Sequence, residues 1–218
     1  TNASAVTNAT AGEYHPVITV GSDSNTIALR TISDDQIVVT ATVPPTFNFV
    51  LSGNTDSFTT NLDSASVVST TGQTVTINTN ANSGWIAWAK NLNGSSGAST
   101  KGALKSATNG NYTIPTTNAN ALGSASHTLS AGTEDYGLGV TITTDAGGGG
   151  TVTLDTAYDG TSTKAGVLDP TNFRAIASSN GTANGDVINL KERATITAVT
   201  PAGNDYTDTL TVIGAGNF

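Results

Sequence analysis

QIVVTATV, residues 36–43, sets Ile37, Val39, Ala41 and Val43 in alternation with Val38, Thr40 and Thr42. A period of two is the pattern of a β-strand with one buried face, because successive side chains of an extended chain point to opposite sides. Pro44-Pro45 ends the run, since neither proline can donate to a hydrogen-bond ladder. Upstream, EYHPVITV begins at Glu13 and TIALRTI at Thr26, separated by Gly, Ser, Asp and Asn turn material. Downstream, strands are legible at residues 46–51, 74–78, 84–91, 136–143, 151–158, 173–177, 187–200 and 206–213.

Residues 91–133 carry little apolar content and read as a long connection, with short strands at best around 112–114 and 127–129. Gly147–Gly150 lies between two strand-like runs and reads as a flexible hairpin connection. It is not a phosphate loop, which needs a Lys-Ser/Thr pair and a following helix. No helical periodicity and no internal repeat emerges. About ten strands in one chain predict an all-β fold, an antiparallel β-sandwich of Greek-key or jelly-roll type with a free N-terminal strand. Residues 1–20 form the N-terminal extension and 21–218 a single sandwich domain. Its predicted core is Ile37, Val39, Ala41, Val43, Phe47 or Phe49, Ile77, one of Trp85 and Trp88, Val140, Ile142, Val152, Leu154, Leu210 and Val212.

Only 11% of the 218 residues are charged, and 40 are Thr, a β-branched residue that suits a neutral, solvent-facing sheet. The net charge of -8, with eight scattered Lys and Arg, offers no basic stripe and argues against nucleic acid as a partner. The absence of Cys excludes disulfides, zinc-thiolate sites and thiol catalysis. No run approaches the roughly 18 apolar residues that span a bilayer. The sequence starts at Thr1 with neither initiator Met nor signal peptide, so we expect the trimmed, mature remainder of an exported protein, extracellular or at the cell surface.

No residue cluster announces a chemistry. His15 and His127 have no ligand-spaced partner, so no metal site or triad is expected. Asp34-Asp35, Glu134-Asp135 and the DTAYDG stretch around Asp155 and Asp159 would suit calcium, but Asp in turns more often bonds its own backbone. A glycosidase would need two opposed carboxylates roughly 5–9.5 Å apart, and the sequence places no such pair. We therefore expect no enzyme and no cofactor. Trp85 and Trp88 are three apart, so a regular strand points them to opposite faces and buries at most one fully. Asn2, Asn8, Asn93, Asn111 and Asn180 head N-x-S/T sequons and are candidate glycosylation positions.

PPTFNFVLSG (44–53), NSGWIAWAKN (82–91) and TPAGNDYTDTLTV (200–212) together resemble WxL-type secreted β-sandwich proteins of bacterial cell surfaces. The last of these is also similar to the ends of spore coat protein U and pilin-type domains. TLTV stands where the WxL family has its second Trp-containing signature, so peptidoglycan attachment is not carried over. The resemblance implies an envelope-associated sandwich with a structural or adhesive role.

The expectation is a structural subunit of an extracellular pilus-like filament or surface layer, whose partners are copies of itself. One subunit's N-terminal strand would complete the sheet of the next by donor-strand complementation. The expected contact residues are Ala3, Ala5, Val6, Tyr14, Val17, Ile18 and Val20. The alternative is a carbohydrate-binding or adhesin module, with a glycan as partner.

Overall fold

WIAWAKN and QTVTINT alternate by the same rule as residues 36–43, and both are strands whose every second side chain is buried. The computed structural model describes residues 10–33, 37–95, 100–116 and 121–218. The chain divides into two compact units, Thr1–Pro44 and Pro45–Phe218, so the boundary falls at the Pro44-Pro45 pair instead of at residue 20.

In the first unit the strands are β1 (Gly12–Tyr14), β2 (Val17–Val20), β3 (Asp23–Thr26) and β4 (Leu29–Thr31). β2 and β3 form one antiparallel pair, with Gly21 in the left-handed region at the turn, and β1 pairs with β4.

The second unit contains β5 (Phe47–Leu51), β6 (Val68–Ser69), β7 (Gln73–Thr79), β8 (Trp85–Asn91), β9 (Ala103–Lys105), β10 (Thr113–Pro115), β11 (His127–Thr128), β12 (Asp135–Thr144), β13 (Val152–Leu154), β14 (Lys164–Ala165), β15 (Arg174–Ser179), β16 (Ala183–Thr195) and β17 (Leu210–Gly216). One sheet runs β12-β16-β7-β5, with β6 beside β16, and the other runs β13-β15-β8-β17. Every named pairing is antiparallel. Consecutive β7 and β8 lie in different sheets, as do β15 and β16, and these strands pair as β7/β16 and β8/β15. Such non-local pairing is the Greek-key way of building a sandwich. Strand residues make up 47% of the described residues, and the helical element among them is a 3₁₀ turn, Thr156–Tyr158.

Both sheets contribute to one core. Val75 and Ile77 come from β7, Ile188 and Leu190 from β16, and they meet Trp85, Ala87 and Ala89 from β8 and Ile176 from β15. Small Ala87 and Ala89 leave room for the facing layer, while the large Trp85 is fully enclosed. Trp88, on the opposite face, is half-buried, as three-residue spacing requires. The Trp85 indole N–H donates to Asp186 Oδ2 on β16 at 2.8 Å, and Asp186 Oδ1 accepts from the Ala146 N–H at 3.1 Å. That pair ties the sheets together through their core.

Several expectations are corrected. Ile37, Val38, Val39 and Val43 are 93, 82, 85 and 80% exposed, and residues 37–43 pair with no described strand. Their alternation marks a chain able to bury one face, yet nothing described in the structure covers either face. Ile142 is exposed beside the irregularity at Ile142/Thr144, whereas Ile77, Val140 and Val152 are buried as expected. Phe47, Phe49, Leu154, Leu210 and Val212 pack against the core only partly buried. The stretch 91–133 contains the β9–β10 hairpin, which buries Ala103, Leu104 and Ile114. Gly147–Gly150 does not close a hairpin: it carries the chain from β12 in one sheet to β13 in the other. A side chain at Gly148, where φ is 142°, would overlap the Thr182 carbonyl.

Candidate functional site

β5 reads FNFVL and β17 reads LTVIGAG; each ends its sheet, and neither carries a charge or a proline. Natural sheet edges are usually guarded by Lys, Pro, short length or a covering element. β13, another edge, is only three residues long, and β12 is bridged by Gly166 and Asp159. The unguarded edges are therefore β5 and β17, and they adjoin. Phe47 and Phe49 stack with centroids 6.1 Å apart, and they occupy the space that absent side chains at Gly214 and Gly216 leave free.

Past Phe49 this seam opens into a cleft of about 670 Å³. Leu51 and the 53–58 loop form one wall, and residues 206–210 with Val212 form the other. Leu104, Tyr136, Leu190 and Glu192 also line it. Apolar and acidic groups thus meet in one concavity that contains no Lys, Arg or His.

Asp208 accepts from the Asn93 N–H and the Asn91 side-chain amide, both at 2.9 Å, and from the Tyr136 hydroxyl at 3.1 Å. Burial nevertheless raises its pKa above the usual carboxylate range. Glu192, which accepts from the Thr70 hydroxyl at 3.1 Å, is raised by the same cause, with the charges of Asp56 and Asp208 adding to it. Burial first, and then the charges of Asp208 and Glu192, push the Tyr136 phenol well above its ordinary value. Asp56 goes the other way: burial opposes its ionisation, but hydrogen bonds from Thr71, Thr70, Ser57 and Gly72 outweigh it. The cleft disfavours anionic occupants, because any anion would face carboxylates with no cation beside them.

The sequence-predicted contact residues lie in the first unit or outside the described residues. Tyr14 is on β1 opposite Leu29, and its hydroxyl donates to the Thr10 carbonyl. Val17, Ile18 and Val20 are exposed on β2, opposite Thr26, Asn25 and Asp23. Far from being a lone extended strand, this segment already has a partner along one edge. Ala3, Ala5, Val6, Asn2, Asn8, Asp34 and Asp35 lie outside the described residues.

Among the other sequons, the Asn93 side-chain amide donates to the Thr207 carbonyl at 2.8 Å, and Asn180 Oδ1 accepts from the Thr151 N–H at 2.8 Å. Asn111 is exposed in a left-handed turn conformation, φ 64°. Asp155 caps the 3₁₀ turn through the Ala157 N–H, and Asp159 accepts from the Thr161 N–H at 3.0 Å, the backbone role expected of turn aspartates. Among the described residues, no group of three or more His, Cys, Asp or Glu is placed to hold a metal ion. His127 Nε2 meets Asp135 Oδ2 at 2.7 Å, a partly buried contact joining β11 to β12. Sequence reasoning missed Glu192 and Asp208 because they are single acidic residues, one on β16 and one in the loop that leads to β17, brought together only by the fold. No helix among the described residues is long and apolar enough to cross a membrane.

Compared with known proteins, the chain matches no protein-family model, no curated protein and no solved structure.

Proposed function

We propose that this chain is a structural subunit of an extracellular pilus-like filament or surface layer, and that copies of it join by β-strand addition through the N-terminal unit. The observation that carries this reading is where the first unit keeps its aliphatic side chains. Val17, Ile18, Val20, Ile27, Leu29 and Ile32 are all exposed, although a unit that functions alone gains its stability by burying such groups. Strands with apolar faces and open edges are the elements that β-augmentation uses. The uncharged β5 and β17 edges and the resemblance to envelope β-sandwiches support the same reading.

Purified full-length protein, examined by size-exclusion chromatography with light scattering and by negative-stain microscopy, should form filaments, sheets or discrete multimers. A monodisperse monomer across the accessible concentration range would refute it. The second reading, a carbohydrate-binding or adhesin module, is favoured by the cleft, where carboxylates and the hydroxyls of Tyr136 and Tyr206 suit a neutral, hydroxyl-rich ligand. A monomer that binds a glycan would support that reading.

A further inference from the structure

The strongest conflict between sequence and structure lies at residues 37–43, and it points to a strand whose partner is another molecule. Local preference there is unambiguous: three Val, one Ile and two Thr in seven residues, all β-branched, with one face wholly apolar. The structure leaves this segment without sheet pairing and with its aliphatic side chains at least 80% exposed. Natural sequences rarely set strong local preference against their surroundings without a functional reason.

We propose that Ile37–Val43 of one copy adds as a strand to the open β17 edge of a second copy, with alternate side chains entering the cleft between β17 and β5. This rests on the strand-addition reading above and replaces its donor: residues 37–43 take the role expected of residues 1–20.

Three features fit donor to acceptor. The donor's seven residues equal the seven of β17, enough to pair the edge from Leu210 to Gly216. Ile37, Val39, Ala41 and Val43 are complementary to the apolar cleft residues Leu51, Leu190, Leu210 and Val212. The donor also carries no acidic side chain, which a cleft holding Glu192 and Asp208 without a cation would repel. Pro44-Pro45 opposes the simplest competing arrangement, a hairpin back onto the chain's own β5. A residue before proline is driven toward extended backbone, so two in succession disfavour a reversal there. β2 is the weaker donor, because β3 already satisfies one of its edges.

The test compares the full chain with two variants, Val39→Asp in the donor and Val17→Asp on β2, by analytical ultracentrifugation and microscopy. A synthetic peptide of residues 36–44 is added separately to the wild-type protein. Val39→Asp should weaken assembly at least tenfold, because it brings a fourth carboxylate into the cleft beside Asp56, Glu192 and Asp208, while Val17→Asp should assemble like wild type. The peptide should cap acceptor edges and suppress assembly, and the same peptide carrying Val39→Asp should not.

Assembly lost in Val17→Asp but retained in Val39→Asp would overturn this donor and leave the strand-addition reading standing. Assembly indifferent to both substitutions and to the peptide would overturn the donor as well. A wild-type chain that never assembles would overturn both proposals. Because residue 39 is exposed, its substitution should not disturb folding, and the peptide arm gives a readout that needs no variant.

Discussion

Trp85→Phe tests whether the two sheets are locked through their core. The indole is fully enclosed, and its N–H reaches Asp186 Oδ2 at 2.8 Å from the opposite sheet. Phenylalanine keeps an aromatic ring on β8 but removes the donor and part of the volume. A hydrogen bond to a charged, buried partner contributes about 1.5–3 kcal/mol, and a partly filled cavity adds to the loss, so the expected cost is about 3 kcal/mol. For a chain of this size each kcal/mol shifts Tm by about 2–4 °C, which places the variant about 6–12 °C below wild type. Trp88→Phe is the internal control: same strand, same chemistry, opposite and half-buried face, with an expected cost of about 1 kcal/mol or less. Both are measured by calorimetry and by far-ultraviolet circular dichroism in denaturant, since fluorescence would be compromised by removing the reporter. Equal costs for the two variants, or a Trp85→Phe cost below about 1 kcal/mol, would refute the idea that the Trp85–Asp186 contact holds the sheets together.

Glu192→Gln should stabilise the protein at neutral pH. A buried carboxyl whose folded pKa is raised is more readily ionised when unfolded, so its contribution is greatest below the ordinary carboxylate value and is lost as pH rises through the folded one. The variant's Tm should therefore exceed wild type at pH 7, with the gain shrinking toward pH 4. Gly84→Ala should cost at least about 2 kcal/mol, because φ is 84° there and a Cβ would overlap the Ser179 carbonyl. Gly21→Ala, with φ 64° and open space around it, should cost only about 1 kcal/mol, both read by denaturant titration. Saturating chelator should leave Tm unchanged, since the turn aspartates Asp155 and Asp159 bond their own backbone; a drop would instead show a required cation.

Strands were legible wherever alternation coincided with burial. Ile77, Trp85, Val140 and Val152 follow directly from period-two runs, and the two Trp residues divide between faces as their spacing demands. Alternation cannot say whether a covering layer exists, and for that reason Ile37 and Val39 read as core and stand exposed. Sheet assignment was likewise illegible: Gly147–Gly150 resembles a hairpin turn, but whether the next strand stays in its sheet or crosses depends on β15 and β16, which come later. The cleft carboxylates were invisible for a related reason. Glu192 and Asp208 are sixteen positions apart, one on β16 and one in the loop before β17, and only the fold brings them to one concavity. The glycines of β17 gave no signal as packing sites, since their meaning lies in the Phe47 and Phe49 rings over them.

Because β16 lies between β12 and β7, neither strand meets its main partner until residue 195 has been synthesised. At about 5–20 residues per second, β7 waits on the order of ten seconds for the strand that closes its sheet. Through that interval the proposed donor, residues 37–43, is already outside the ribosome, while β17 does not yet exist. On this proposal, nascent chains on neighbouring ribosomes would hold donors and no finished acceptors, and the order of translation itself would delay strand addition until β17 has been made.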